Sequence, residues 1–495
     1  MAAIESFYEK VRLIHDLTEV QQNVDWDMQV MMPHKGAMQR ANQAAALAGQ
    51  VHLLATDPAL GDAIAAMEGE TSLDEAERAD VREARRFYDR EAKLPARLVT
   101  ERAQAVALAQ GAWEEARPKN DFASFLPYLE KVVALTREMA ALLKKTSAYD
   151  ALLDEYEPGM TEAELRRIFA DLKGRLLPLL DAVKGAPKRP DASILHGHFP
   201  RERQRAFCLK VIAEMGFDLD AGRLDESAHP FTNGTFQDVR LTTRYIEDFL
   251  PAALFGAMHE AGHGIYEQGL DAGKYRDPAG QACSLGIHES QSRFWENVIG
   301  RSRPFWECHF KPLKEAFPEA LGGATAESFY GAVNNVAPSL IRVEADEATY
   351  NLHILVRFDI ESGLLAGDVQ PKELPGLWNA KMKEYLGITP PSDRDGVLQD
   401  IHWSAGLIGY FPTYALGNLY AAQFREAMAR EIPDLAARLA NGDLMAVKRW
   451  LNEKIHRHGR RWLAGELCQK VTGKPLGAGP FISYLKDKYA GIYGI

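Results

Sequence analysis

Cysteine is scarce in this chain, and what there is does not cluster. Four occur in 495 residues, Cys208, Cys283, Cys308 and Cys468, with no Cys-x-x-Cys pair. That excludes a disulfide framework and a cysteine zinc site, and fits a reducing compartment. Long apolar runs are missing too. The longest, Leu407 to Ala422, is short and interrupted by Pro412 and Asn418, so it cannot span a bilayer. The first residues carry Glu5 and Glu9 and no apolar core of a secretory signal, so the expected location is the cytoplasm. Blocks of one charge are absent. The formal net charge is −11, with acidic and basic residues interleaved, which argues against nucleic acid or an anionic membrane as partner. Internal repeats and low-complexity tracts are also absent.

What remains is a chain of ordinary globular composition, 46% hydrophobic and 26% charged, with mostly helical periodicity. Phe7, Val11, Ile14 and Leu17 recur at helical spacing, and residues 34–56 read as a second helix. Ser72-Leu73-Asp74-Glu75 is expected to cap a charged helix to about residue 91. Thr161-Glu162-Ala163-Glu164 is expected to cap another to about residue 183. Residues 97–117 and 121–146 read as two long helices, and Ser339 to about Gly363 as a further one. Only residues 229–247 look like sheet. There Asn233-Gly234 carries turn chemistry, and Phe236 to Tyr245 alternates and is rich in β-formers. A small hairpin is expected, whose edge could hold an extended peptide by backbone pairing.

The chemistry concentrates at His259-Glu260-Ala261-Gly262-His263. The run from Asp248 to Gly269 reads as one helix, with Asp248 as N-cap, Pro251 in the first turn and Gly269 as its end. On that helix His259 and His263 are i and i+4, so both imidazoles can meet one metal ion. Glu260 lies about 100° further round, placed to take a proton from water rather than to be a ligand. This is the pattern of zinc hydrolases that attack peptide bonds. The extension found in metzincins is absent, since Tyr266 and Gly269 stand where Gly and His are required. Glu267, i+4 from His263, would put three ligands in a row, which cannot close a tetrahedron. The third ligand should come from another helix, and Glu289 in His288-Glu289-Ser290-Gln291 is the choice. Two polar-aromatic segments bounded by glycine, Gly396 to Trp403 and Gly409 to Tyr414, are further places for catalytic groups.

Taken in order, these motifs resemble the thermostable carboxypeptidase (carboxypeptidase Taq) family of zinc metallocarboxypeptidases. The matching stretches are Asp25-Trp26-Asp27 with Met32-Pro33, His229-Pro230-Phe231, Asp238 to Thr242, His259 to His263 and His288 to Gln291. They continue with Ile341-Arg342 and Ala345-Asp346, Gln399-Asp400 and His402-Trp403, and Gly409-Tyr410 with Thr413-Tyr414. The resemblance implies a mostly α fold of the large helical gluzincin type, with a deep active-site groove and a small β-sheet beside the zinc helix. It also implies a single domain over residues 1–495, in which residues 1–200 form one groove wall and 229–420 bind the metal. It implies zinc, replaceable by cobalt, on His259, His263 and Glu289, with Glu260 as general base. The implied activity is release of single C-terminal residues from peptides, with broad specificity and proline disfavoured, by a homodimer.

Within that chemistry an oxyanion needs a donor. Tyr410, Tyr414 and His402 are the candidates, and the sequence does not rank them. His229 could hold the substrate backbone. A free carboxylate suits an arginine fork. Arg342 is first choice, with Arg240 and Arg293 in reserve, and a structural Arg342–Asp346 pair is the alternative. Asp238, Asp346 and Asp400 could support ligand imidazoles or arginines. Two other functions stay open. One is a zinc oligopeptidase or dipeptidyl carboxypeptidase. The other is a helical scaffold with a structural zinc, disfavoured because Glu260 would have no role in it.

Overall fold

The computed structural model describes residues 2–495. Among the described residues helices account for 69%, beside one sheet of three strands, so the mostly α expectation holds. The chain forms two compact units, each assembled from separate stretches. One comprises Met1–Ala92, Pro190–Val333 and Tyr420–Pro475, the other Lys93–Arg189, Asn334–Leu419 and Leu476–Ile495.

In the first unit, helix Ala2–Val30 buries Phe7, Val11 and Ile14 against Leu60, Ile64 and Met67 of helix Pro58–Glu68, as its spacing predicts. The next helix runs Glu75–Lys93, but its cap is not Ser72. Asp74 accepts from the Glu77 amide at 2.9 Å while the Glu77 carboxylate reaches back to the Asp74 amide at 2.8 Å. The capping box is displaced by two residues because a charged acceptor binds those amides more strongly than a hydroxyl does.

The sheet has the order β1-β3-β2, with β1 Gly222–Glu226, β2 Thr232–Asn233 and β3 Val239–Thr243. β2 and β3 form the expected antiparallel hairpin, in register Thr232 with Leu241. The parallel strand β1 on the far edge was not anticipated. Its one buried side chain is Leu224, too little alternation to read as a strand.

Helix Leu250–Gln268 follows the sheet and is apolar on most sides. Its N-cap is Phe249 rather than Asp248. The Asp248 carbonyl accepts from the Gly197 amide and Phe249 bridges His196, which keeps the chain extended one residue longer. Helix Leu285–Arg293 packs alongside, opened by Ser284, whose hydroxyl accepts from the Ile287 amide at 3.1 Å. It widens directly into a π-helical turn, Phe294–Ile299, a feature frequent at functional sites.

In the second unit, helices Ala96–Lys119 and Phe122–Leu143 form the expected pair. Thr161 caps helix Glu162–Gly185 through the Glu164 amide, also as expected. Helix Tyr350–Ala366 is the buried centre, with Leu352, Ile354, Val356, Phe358 and Leu364 on several faces and Arg357 and Glu361 wholly enclosed. The long helix expected from Ser339 to Gly363 is not formed as such. Arg342–Glu344 is a 3₁₀ turn, and α-helix begins only at Tyr350. Side chains take the backbone amides there instead. Gln399 accepts from the Arg342 amide, and Asp346 accepts from those of Ala337, Ala348 and Thr349. The alternative Arg342–Asp346 pair is thereby excluded, since Arg342 pairs with Asp400.

Candidate metal centre

Two helices make the centre in the first unit, and a glycine lets them meet. A Cβ on Gly262 would fall 2.7 Å from both the Gln291 carbonyl oxygen and the Ser292 Cα. The backbones therefore touch between the two histidines of the first helix, where Glu289 on the second can reach across. One donor atom from each of His259, His263 and Glu289 lies within 4.8 Å of the others. Glu289 Oε2 sits 3.7 Å from His259 Nε2 and 3.5 Å from His263 Nε2. Tetrahedral ligands with bonds of about 2.0–2.1 Å stand roughly 3.3–3.4 Å apart, so the set is close to the size that a zinc-like ion requires.

Each imidazole is turned by its other nitrogen. His259 Nδ1 lies 2.9 Å from Glu296 Oε2. His263 Nδ1 lies 2.5 Å from His288 Nδ1, and His288 Nε2 lies 2.7 Å from Glu267 Oε1. One placement of hydrogens leaves both Nε2 lone pairs for a metal. His259 donates from Nδ1 to Glu296, His263 donates from Nδ1 to His288, and His288 donates from Nε2 to Glu267. Arg293 bridges the acids, donating to Glu289 Oε1 at 2.7 Å and to Glu296 Oε2 at 3.2 Å. Arg301 donates to Glu296 Oε1 at 3.2 Å.

These contacts set the charges. Burial opposes ionisation of Glu289, but Arg293, His259 and His263 overcome it and hold the carboxyl well below its usual range. Burial is likewise outweighed at Glu296, held at about 2 by Arg293, His259 and Arg301. Burial, reinforced by His288, pushes His263 down to about 3, so it is the neutral imidazole a metal needs. At His259 the neighbouring Glu289 and Glu296 outweigh burial and raise the pKa. Glu260 is only 6% exposed and stands outside the donor set. Burial raises its pKa, against the opposing pull of His259 and Thr232. Thr232 Oγ1 donates to Glu260 Oε2 at 2.7 Å.

Of the other residues singled out in the first unit, His229 is exposed. Arg240 forks onto Asp238 at 2.8 Å through both Nε and Nη2 and lies 4.6 Å over the Trp26 ring. Arg293 is the bridge just described rather than a solvent-facing anchor. In the second unit, Arg342 is 5% exposed and donates from Nε and Nη2 to Asp400 Oδ1 at 3.1 and 2.9 Å, and from Nη1 to Tyr350 at 2.8 Å. Arg357 donates to Asp400 Oδ2 at 2.7 Å. His402 Nε2 lies 3.3 Å from the Tyr414 hydroxyl, with the Tyr410 ring 5.5 Å away. Burial, together with Arg342 and Arg357, pushes His402 down to about 3 although Asp400 opposes the shift. It is therefore a neutral imidazole at working pH, not an imidazolium.

Sequence reasoning missed Glu296, His288 and the supporting role of Glu267. Heptad spacing pointed to the first, since Glu296 is i+7 from Glu289. Of the three aspartates considered as supports, Asp238 and Asp400 serve arginines, while Asp346 is taken up by backbone amides and the Thr349 hydroxyl.

Comparison with known proteins identifies the family. The chain matches the carboxypeptidase Taq (M32) metallopeptidase family over residues 6–489. It is 49% identical over 484 residues to thermostable carboxypeptidase 1 of Thermus thermophilus, covering 95% of this chain and 94% of that protein. It is 39% identical over 492 residues to carboxypeptidase 1 of Bacillus subtilis, covering 99% and 98%. The crystal structure of the M32 carboxypeptidase from Deinococcus radiodurans superposes over 100% of both chains with a TM-score of 0.97 at 40% identity.

Proposed function

The chain belongs to the carboxypeptidase Taq (M32) family of metallopeptidases, and we propose that it is a zinc-dependent carboxypeptidase releasing single residues from peptides with a free C-terminus. The observation that carries this is the donor set itself. Two imidazole nitrogens face one carboxylate oxygen at 3.7 and 3.5 Å, with a buried carboxylate, Glu260, next along the helix. A nitrogen and oxygen set of this kind suits zinc, and cobalt can take the same place. When bound, the ion serves as a Lewis acid that lowers the pKa of water towards about 7.

The protein's own groups do the rest. Thr232 holds Glu260 by Oε2, and the Glu260 carboxylate takes the proton of the attacking water and returns it to the leaving amine. Burial strengthens Glu260 as a base by raising its pKa. The oxyanion donor is one of Tyr410, Tyr414 and His402, since a phenol and a neutral imidazole each carry one hydrogen to donate. Arg342 receives the terminal carboxylate. Arg342 and Arg357 share the one acid Asp400, which leaves that buried cluster one positive charge in excess. Arg240 already has its charge met by Asp238, and His229 is assigned to the substrate backbone. Broad specificity, disfavour of C-terminal proline and a homodimeric state belong to the same proposal and follow the family.

Residues 1–495 are taken as one catalytic domain, since each compact unit draws on interleaved segments and neither can be excised as a continuous piece. Four free cysteines support a reducing, cytoplasmic setting. Among the described residues no helix is long and apolar enough to cross a membrane. The test is incubation with a mixed peptide pool, read by mass spectrometry, with and without chelator. Single-residue ladders from the C-terminus, lost on chelation and restored by zinc or cobalt, are expected. Dipeptide steps or internal cuts would move the assignment to a related oligopeptidase, and unchanged activity in metal-free protein would end the metalloenzyme reading.

A further inference from the structure

Strand β2 and the loop that joins it to β3 each touch the site once. Thr232 and Thr235 are three residues apart, and Glu260 and Glu267 are seven apart on their helix. Seven residues are two helical turns, so the two carboxylates project from one face. Thr232 Oγ1 lies 2.7 Å from Glu260 Oε2 and 3.0 Å from the Glu260 carbonyl oxygen. Thr235, 8% exposed, donates from Oγ1 to Glu267 Oε2 at 2.7 Å. The other oxygen of Glu267 faces His288, which in turn faces His263.

The loop is held stiffly. Gly234 has φ +83°, and a Cβ there would lie 1.9 Å from the Asp238 carbonyl oxygen, so only glycine fits. Phe236 has φ +52°, an uncommon region for a bulky residue, and its ring stacks on Tyr275 at 4.7 Å. Gln22 fastens the tip, accepting from Asn233 Nδ2 at 2.9 Å and from the Gly234 amide at 3.2 Å.

We infer that β2 and this loop together are a common support with two separate outputs. Through Thr232 it positions the base, and through Thr235, Glu267 and His288 it positions the ligand His263. Both threonines are positioning residues, and the inference rests on the metallopeptidase reading above. The two outputs separate by experiment. Zinc affinity is measured on metal-free protein by competition with a chromophoric chelator, and kcat and KM on a free-acid peptide at saturating zinc. Thr232→Val keeps shape and removes the donor. It should bind zinc within about twofold of the parent but lose roughly 10- to 100-fold in kcat, with KM little changed, and Thr232→Ser should restore kcat. Thr235→Val should weaken zinc binding about 10- to 100-fold, and Thr235→Ser should restore it.

Melting curves check folding, and Thr→Ala at each position carries the same comparison should a valine variant not fold. Parallel changes in affinity and kcat for both variants would make the loop mere scaffolding and overturn the inference. So would parent-like behaviour of both variants. A parent protein that binds no zinc would overturn the metal reading and this inference together, whereas a zinc-binding parent with indifferent variants sinks this inference alone.

Discussion

Glu296 should matter to the metal without touching it. Its Oε2 accepts from His259 Nδ1 at 2.9 Å and from Arg293 at 3.2 Å, and its Oε1 accepts from Arg301 at 3.2 Å. Glu296→Gln keeps one oxygen acceptor for His259 but removes the charge that makes the imidazole a better donor to metal. Losing such a support typically weakens metal binding about 10- to 100-fold, or about 1.4–2.8 kcal/mol at 1.4 kcal/mol per decade. The Gln variant belongs at the low end because geometry survives. Glu296→Leu removes the acceptor as well and should reach the high end. It should also destabilise the metal-free fold by about 3 kcal/mol, the lower part of the range for breaking a buried ionic pair. The lower part applies because Arg293 keeps Glu289, and Arg301 keeps the Val333 carbonyl and Asn297. Zinc competition titration gives the affinities, and denaturant melts in chelator give the stabilities. If both variants bind zinc as tightly as the parent, Glu296 does not orient His259 and the tautomers assigned to the site are wrong.

Three further outcomes are expected. Glu260→Gln should keep zinc and lose about 10²–10⁴-fold in kcat, while Glu289→Ala should lose zinc; the reverse pattern in metal analysis and kinetics would exchange their roles. Arg342→Ala should lower kcat/KM by about 2–5 kcal/mol, or roughly 30- to several-thousand-fold, on free-acid peptides and little on matched amides. Equal losses on both would make Arg342 structural. Glu361 accepts from Trp403 Nε1, the Tyr149 hydroxyl and the Gly409 amide, and burial raises its pKa from 4.5 to about 7. A carboxyl raised on folding stabilises the fold fully below its unfolded value, and that stability is lost as the pH rises through about 7. The stability of the parent relative to Glu361→Gln should therefore fall by roughly 3 kcal/mol between about pH 4 and pH 8, and a pH-independent difference in chemical melts would refute it.

Helical periodicity alone determined the class of this protein, and the i, i+4 spacing of His259 and His263 alone determined a metal motif, because both are local consequences of 3.6 residues per turn. Thr161 as a cap and Gly234 in a turn were legible for the same reason. Local patterns misled where two of them competed. Ser72 and Asp74 each stand three residues before a glutamate, and only the stronger acceptor caps. The stretch after Ser339 carries helical spacing, yet Gln399 and Asp346 take its amides, and Gln399 is distant in sequence. Tertiary structure alone decided what surrounds the motif. That Gly262 permits backbone contact, that Glu296 and His288 turn the two imidazoles, and that Arg342 meets Asp400 rather than Asp346 all depend on elements far apart in the chain. No periodicity records which residues packing will bring within hydrogen-bond reach.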